Sequence, residues 1–523
     1  MNIEKLLNNH TIVVYIIPLF LGASSVFSFQ PFNFTLVNFF IIPFLFLIIT
    51  YVSKKYKSKY RKKPFLRSLF LIGYLFGIGF FLSGTFWISY SLTFDDNFKF
   101  LIPISLIMIP LFLGLFFGLA TLTSGPFIKN DFISILFFCS VLSFFDFIRS
   151  KVLTGFPWNL WGYSWSWFTE AIQLLNPLGL FTFNLLSITI FCSPLLLIFK
   201  GRFNVTIFLI LIALFFSNYI YGSSLINKSI KRDNTSNILS SDKNFINIKI
   251  ISPNFDLKYN LSNTELINSF EKLIKYSEPT IDKKTIFIWP EGIFTGYNFS
   301  ELNKFETIFK KNFNKNHLVV FGINTKEKNK IFNSLVVVNN DFEIIYKYNK
   351  KKLVPFGEFL PFEVFLNKFG LKKITHGHGS FSKGDKQKNL ILEKANILPL
   401  ICYEIIFPEL IQSQGYRNNL IINISEDAWF GGSIGPYQHF AKAIFRSVEN
   451  NTYLARSANQ GISAFISNNG QVIKKLEPNE TGNIEFEVPL IVNNNKHKND
   501  LIFFTLLFTY VFIFFTLRNK FYD

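Results

Sequence analysis

Two textures alternate along the chain. Over the first 222 residues, apolar side chains run almost unbroken for about 20 positions at a time, the length that crosses a hydrocarbon core. These runs predict spans near 11–29, 33–52, 68–92, 100–124, 131–148, 178–199 and 203–222, with an eighth at 501–517. A cleaved signal peptide competes for the first run, because Lys5 precedes it and small residues end it; the second span follows at once and favours a retained span. Between 223 and 500 the apolar runs shorten. Strands are predicted at 248–251, 286–289, 318–323, 334–338, 397–402, 420–424 and 462–466, and helices near 263–276, 301–312 and 437–450. In the last, Tyr437, Phe440, Ile444 and Val448 recur at helical spacing. Strands alternating with helices predict one α/β domain. The expected organisation is a seven-helix membrane domain at 1–222, an α/β domain at 223–498, and a final span with a short tail at 499–523.

Loop charges orient the spans. Lys54, Lys55, Lys57, Lys59, Arg61, Lys62 and Lys63 form the densest basic cluster, between spans two and three, and mark the cytoplasmic side. Lys200 and Arg202, then Arg518 and Lys520, fall on that same side, whereas Asp95 and Asp96 fall opposite. With eight spans both termini are expected in the cytoplasm and the 223–500 block outside it, which in a bacterium is the periplasm side of the inner membrane. Composition agrees with this picture. Of 523 residues, 49% are hydrophobic, 69 are Phe and only 17% are charged, which excludes disorder, collagen and a coiled coil and argues against a single soluble globule. The net charge of +19 suits anionic partners, nucleic acid or lipid headgroups. No nucleic-acid motif is present and topology accounts for the strongest basic run, so membrane lipid is the expected partner and nucleic acid is not.

Three cysteines exclude a disulfide framework. Cys139 and Cys192 lie inside spans, leaving Cys402 as the thiol of the α/β block, at the end of the apolar strand Ile397–Cys402. Glu291 ends a second such strand, and a carboxylate there is costly unless paired or used. Lys350 precedes an apolar turn, Leu353-Val354-Pro355-Phe356-Gly357-Glu358. Each has a bland reading: buried thiol, strand-end cap, surface lysine.

Together, in the order Glu, Lys, Cys, they resemble the triad of the carbon–nitrogen hydrolase (nitrilase-like) superfamily. More narrowly, the chain is similar to the apolipoprotein N-acyltransferase family. The likeness is carried by seven spans before the domain and one after it, by Lys350 through Glu358, and by Cys402-Tyr403-Glu404. Further matches are Asp427-Ala428-Trp429-Phe430-Gly431, Gly435-Pro436-Tyr437-Gln438-His439, Arg456-Ser457 with Asn459, and Gly155-Phe156-Pro157-Trp158. The resemblance implies a polytopic helical membrane domain joined to an αββα sandwich. It implies an acyltransferase that moves a fatty acyl chain from a membrane phospholipid, through a thioester on Cys402, to the amine of the diacylglyceryl-cysteine of an apolipoprotein. On this reading Cys402 is the nucleophile and Glu291 the general base. Lys350 lowers the thiol pKa and stabilises the oxyanion. Glu358, Tyr403 and Glu404 support them, and Trp429, Phe356 and Phe362 are candidate substrate contacts. No cofactor and no metal are implied, and His376, His378 and His439 have no acid or thiol at metal-site spacing.

The chain departs from the family pattern at Glu426, where Asn is usual, at Lys258-Tyr259, where a Trp is common, and at the His376/His378 pair. The Phe-rich stretch 359–369 is read either as a packed arm of the sandwich or as a lipid-dipping gate, and Trp158, Trp161, Trp165 and Trp167 as an interfacial belt. Two competing functions remain open at this point. A membrane-tethered amidase would give the thioester to water. A transporter or receptor would only bind ligand, although ionisable residues deep in the spans are scarce, Asp146 being the main exception.

Overall fold

The computed structural model describes residues 9–59, 64–199, 201–239, 245–259, 261–361, 380–385, 389–392, 395–412, 418–491 and 499–520. Two compact units result: Met1–Ser89 with Lys99–Ile226 and His497–Asp523, and Tyr90–Phe98 with Asn227–Lys496.

The first unit is helical. Among the described residues, seven helices are long and apolar enough to cross a membrane: Thr35–Lys54, Phe65–Phe94, Asp96–Ser124, Phe132–Lys151, Leu180–Ile198, Arg202–Ser229 and Asp500–Arg518. The first expected span is a shorter apolar helix, Ile12–Ser28. At the helical rise it is about 25 Å long, against a hydrocarbon core of about 30 Å. Lipid tails give no hydrophobic drive between helices, so small residues and polar bonds hold them. A Cβ on Gly77 would come within 2.7 Å of the Gly114 Cα, so the two helices meet backbone to backbone there. Nearby, the Thr121 hydroxyl donates to the Leu69 carbonyl at 2.8 Å. Cys139 and Cys192 are buried and unbridged, filling space as small apolar side chains.

The tryptophan belt is a correction. Trp158, Trp161 and Trp165 are 1%, 0% and 5% exposed, and only Trp167, at 49%, faces outward. The 155–165 loop turns inward because Arg149, paired with Asp146 at 3.0 Å, donates to the carbonyls of Phe156 and Trp158. Asn184 closes the cluster, donating to Asp146 and accepting from the Gly162 N–H. Trp161 then packs among Phe29, Phe80 and Phe117.

The second unit is two six-stranded sheets. In one, β1 (Phe245–Ser252), β2 (Thr285–Ile288), β3 (His317–Glu327), β4 (Lys330–Val338) and β5 (Ile344–Asn349) follow in order, with β12 (Gly482–Pro489) outside β1. In the other, β6 (Leu390–Leu392), β7 (Ala395–Ile401), β8 (Leu420–Glu426), β9 (Tyr453–Asn459), β10 (Ser463–Ile466) and β11 (Val472–Leu476) run edge to edge. The pairs β1–β2–β3 and β7–β8–β9 are parallel. Ile248, Ile250, Ile288, Val320 and Val337 of one sheet meet Ile397, Ile422, Ala455 and Phe465 of the other in a shared core. Helices cover the outer faces. α1 (Asn263–Ser277) starts at a capping box between Ser262 and Glu265 and buries Leu266, Phe270, Leu273 and Ile274, the i, i+4, i+7, i+8 stripe of an amphipathic helix. α2 (Glu306–Asn312) adds Phe309 to the same layer. α3 (Gly435–Asn450) lies against β9 and β10. This is the expected αββα sandwich, and every strand expected from the sequence is present within it.

Candidate active site

Parallel strands deliver their carboxyl ends to one edge of each sheet, where side chains leave the ladder. β2 ends just before Glu291, β7 just before Cys402, and β8 at Glu426 and Asp427. β5 reaches the same edge by a different route. β4 reverses β3 and β5 reverses β4, so β5 again runs with β3 and ends just before Lys350.

The fold brings the three predicted residues together. The Lys350 ammonium, 1% exposed, lies 2.9 Å from Glu358 Oε1 and 3.5 Å from Glu291 Oε1. Asn333, on β4, donates to both carboxylates, at 2.7 Å to Glu291 and 2.6 Å to Glu358. The Glu426 N–H donates to the other oxygen of Glu291 at 3.2 Å, and the Val354 N–H to that of Glu358 at 2.8 Å. The Cys402 thiol interacts electrostatically with both the Glu291 carboxylate and the Lys350 ammonium. Cys402 itself sits on a sharp strand-to-turn corner with φ +48°, a left-handed backbone that a non-glycine residue adopts only when its surroundings hold it there.

Glu404 is fully buried. Its Oε1 accepts from the N–H groups of Lys351 and Lys352 at 2.7 and 3.1 Å, and its Oε2 from Ile401 at 2.9 Å; the Tyr348 hydroxyl donates to both oxygens. One carboxylate therefore ties the chain after β5 to the end of β7. Tyr403 is half-buried with its ring 5.0 Å from Phe407. Trp429 is half-buried, edge-on to Phe94 at 5.2 Å and tilted against Tyr259 at 6.5 Å. Phe356, with φ +63°, is 48% exposed. Phe362 lies outside the described residues, as do 362–369 of the amphipathic stretch and both His376 and His378.

The two parts of the chain match two family profiles: residues 21–193 the apolipoprotein N-acyltransferase N-terminal domain, and residues 257–491 carbon–nitrogen hydrolase. An apolipoprotein N-acyltransferase of Rhizobium leguminosarum bv. trifolii is 32% identical over 437 residues, 81% of this chain and 80% of that protein. One from Rickettsia prowazekii is 31% identical over 450 residues, covering 84% and 87%. The chain belongs to the apolipoprotein N-acyltransferase family. A solved carbon–nitrogen hydrolase superfamily protein from Xanthomonas campestris overlays 47% of this chain and 91% of its own, at 14% identity and a TM-score of 0.35.

Within this family member the electrostatics of the site are unusual for a protein interior. Burial drives the Glu291 carboxyl upward and Glu358 adds to the rise, while Lys350, Asn333 and the Cys402 thiol pull it back only in part. Burial would lower the Lys350 ammonium, yet Glu291 and Glu358 overcompensate and hold it above the ordinary lysine range. Lys350 draws the Cys402 thiol downward, as expected, but burial and the Glu291 charge outweigh it, and the thiol stays protonated at rest. A protonated thiol beside a carboxylate and a permanent cation can deliver a sulfur nucleophile at the moment its proton moves.

Two contributors escaped the sequence reading. Asn333 stands in an ordinary strand pattern and carries no motif. Glu426, flagged only as a departure, is 2% exposed with no cation against it among the described residues; Asn459 Nδ2 donates to both its oxygens and the Ala428 N–H to one. Burial pushes its carboxyl well up. Gly292, at φ +75°, is forced by this neighbour, since a Cβ there would collide with Glu426.

Proposed function

We propose that this protein N-acylates lipoproteins: it takes a fatty acyl chain from a membrane phospholipid onto Cys402 and passes it to the amine of a diacylglyceryl-cysteine. The observation that carries the reading is the Lys350 cation paired with both Glu291 and Glu358, with the Cys402 thiol in electrostatic reach of Lys350 and Glu291. In the first half-reaction Sγ attacks the ester carbonyl while Glu291 takes the thiol proton. Charge gathers on the carbonyl oxygen, and Lys350 stabilises it, an effect of about 3 kcal/mol for one well-placed donor. Collapse expels the lysophospholipid alkoxide, which takes the proton back from Glu291 and leaves the thioester. In the second half the amine attacks that thioester, Glu291 accepts the amine proton, and the departing sulfur recovers it. No redox partner enters, and protons balance over the cycle.

Both substrates are lipids, and pulling an acyl chain out of a bilayer costs about 0.8 kcal/mol per CH₂. Membrane-spanning helices on both sides of the catalytic sequence avoid extraction altogether. The basic 54–63 loop, with Lys200, Arg202 and Arg518, supports a catalytic unit on the non-cytoplasmic side of a bacterial inner membrane. Trp429 and Phe356 remain our candidates for lining the lipid path, and Tyr403 for bracing the acyl-enzyme.

Mass spectrometry of the intact protein after exposure to phospholipid tests the proposal. A fatty-acyl adduct on Cys402, discharged by a diacylglyceryl-peptide into an N-acylated product, is expected. Discharge into free fatty acid alone would make the protein a hydrolase; no adduct at all would remove the nucleophile.

A further inference from the structure

Behind the nucleophile lies a second buried network that the proposed reaction does not use. His439, on α3, is 0% exposed. Its Nε2 is 3.3 Å from the carbonyl oxygen of Cys402. Its Nδ1 is 3.0 Å from Asp427 Oδ1 and 3.1 Å from Arg456 Nη2. The same Arg456 nitrogen donates to Asp427 Oδ2 at 2.8 Å, and Nη1 donates to Asn423. The network thus joins the ends of β7 and β8, the middle of β9 and the first turn of α3 at one point, the Cys402 carbonyl.

We infer that His439 is a positioning residue for the nucleophile, its Nε2–H holding the Cys402 carbonyl so that the backbone at Cys402 keeps its left-handed corner, with Arg456 and Asp427 fixing which ring nitrogen carries the proton. The inference rests on Cys402 being the nucleophile proposed above.

The partners dictate the tautomer. A carbonyl oxygen only accepts, so Nε2 must carry hydrogen. Nδ1 then offers its lone pair to Arg456, whose Nη2 has two hydrogens and serves Asp427 with the other. The charged groups facing the ring are Arg456, Asp427 and Lys442. Burial and the two cations favour the neutral ring against the pull of Asp427. Asp427, despite its burial, is held ionised by Arg456, with the Ser425 hydroxyl donating to its other oxygen at 2.6 Å. Without Arg456 on Nδ1, Asp427 would attract the proton there. Nε2 would then turn its lone pair on the carbonyl, the hold would be lost, and the corner at φ +48° could relax with its sulfur.

Two substitutions at one position separate this role from simple packing. Gln places its amide nitrogen near the place of Nε2, whereas Asn reaches only as far as Nδ1. Full-length enzyme in phospholipid–detergent micelles is followed for acyl-adduct formation, for alkylation by iodoacetamide, and for its unfolding midpoint. His439→Asn is expected to acylate about a hundredfold more slowly per folded molecule, as a misplaced reacting group does, while alkylation by the small, orientation-tolerant reagent changes little. His439→Gln should recover acylation even where its midpoint falls as far as that of the Asn variant. Arg456→Lys supplies an independent measurement should either histidine variant fail to fold. Its acylation rate relative to wild type should climb as pH falls from about 8 to about 6, because protonating the ring restores Nε2–H. Equal rates for the Asn and Gln variants, or a flat ratio for Arg456→Lys, would overturn the inference while leaving the wild-type adduct in place. Absence of the adduct from wild type would instead remove the nucleophile on which the inference rests.

Discussion

At the scale of single residues, Glu291 governs when the proposed reaction can run. It must be ionised to take the thiol proton, and burial with Glu358 beside it raises its pKa. Activity should therefore be lost as pH falls through a value above the ordinary 4.5 of a glutamate, giving kcat/KM an acid limb displaced upward. Its neighbours move that limb in opposite senses. Glu358→Gln removes a negative charge, so Glu291 ionises more readily and the limb should shift to lower pH. Asn333→Ala removes a donor to the ionised form, so the limb should shift to higher pH. Parallel shifts of both variants in pH–rate profiles would mean that Glu291 is not the titrating base. Neither neighbour announces itself equally in the sequence. Glu358 stands in a run that resembles a family motif, whereas Asn333 is one polar residue in a strand, indistinguishable there from a solvent-facing one.

At the scale of elements, the site depends on strand ends being held in register, and Glu404 is the clip between β5 and β7. Its two oxygens serve three backbone N–H groups and the Tyr348 hydroxyl. Glu404→Gln replaces one oxygen by an NH₂ that faces donors, leaving at least one buried N–H unpaired. A loss of about 1–3 kcal/mol in unfolding free energy is expected, read by chemical denaturation. Unchanged stability would show that the clip does not bear on the fold. The sequence made the strands that supply the central core legible, because Ile, Val and Phe dominate them. It hid β5, β6, β11 and β12, which lie at sheet edges, where half-exposed positions dilute the pattern. It hid β9 for the opposite reason: every residue of β9 is buried, yet Arg456, Ser457 and Asn459 are polar and are satisfied by partners far away in the chain. Hydrogen bonds of that kind have no local signature. The same is true of the inward-turned Trp158 and Trp161, whose burial depends on Arg149 capturing two carbonyls rather than on any feature of the tryptophans.

For the whole molecule, orientation decides which lipids and which proteins the thiol can meet. Loop charge is the physical basis of the assignment: lysines and arginines near span ends stay on the cytoplasmic side during insertion. The 54–63 cluster and the 200–202 pair are separated by an even number of the long helices Phe65–Phe94, Asp96–Ser124, Phe132–Lys151 and Leu180–Ile198, so both belong on one side. On the proposed topology one further crossing, Arg202–Ser229, carries the chain to the other side before the catalytic unit begins. This count does not involve the short Ile12–Ser28 helix, so the proposed placement of the catalytic unit is the same whether or not that helix crosses. Ile281, 75% exposed on the catalytic unit, and Lys57 in the basic loop are suitable reporters. In intact spheroplasts a membrane-impermeant maleimide should label Ile281→Cys at once, and Lys57→Cys only after the membrane is opened. A Cys402→Ala background removes the reactive native thiol, and Cys139 and Cys192 are buried within the helical unit. The reverse pattern would put the catalytic unit in the cytoplasm, away from any exported lipoprotein, and would end the proposed function even if the acyl-enzyme formed.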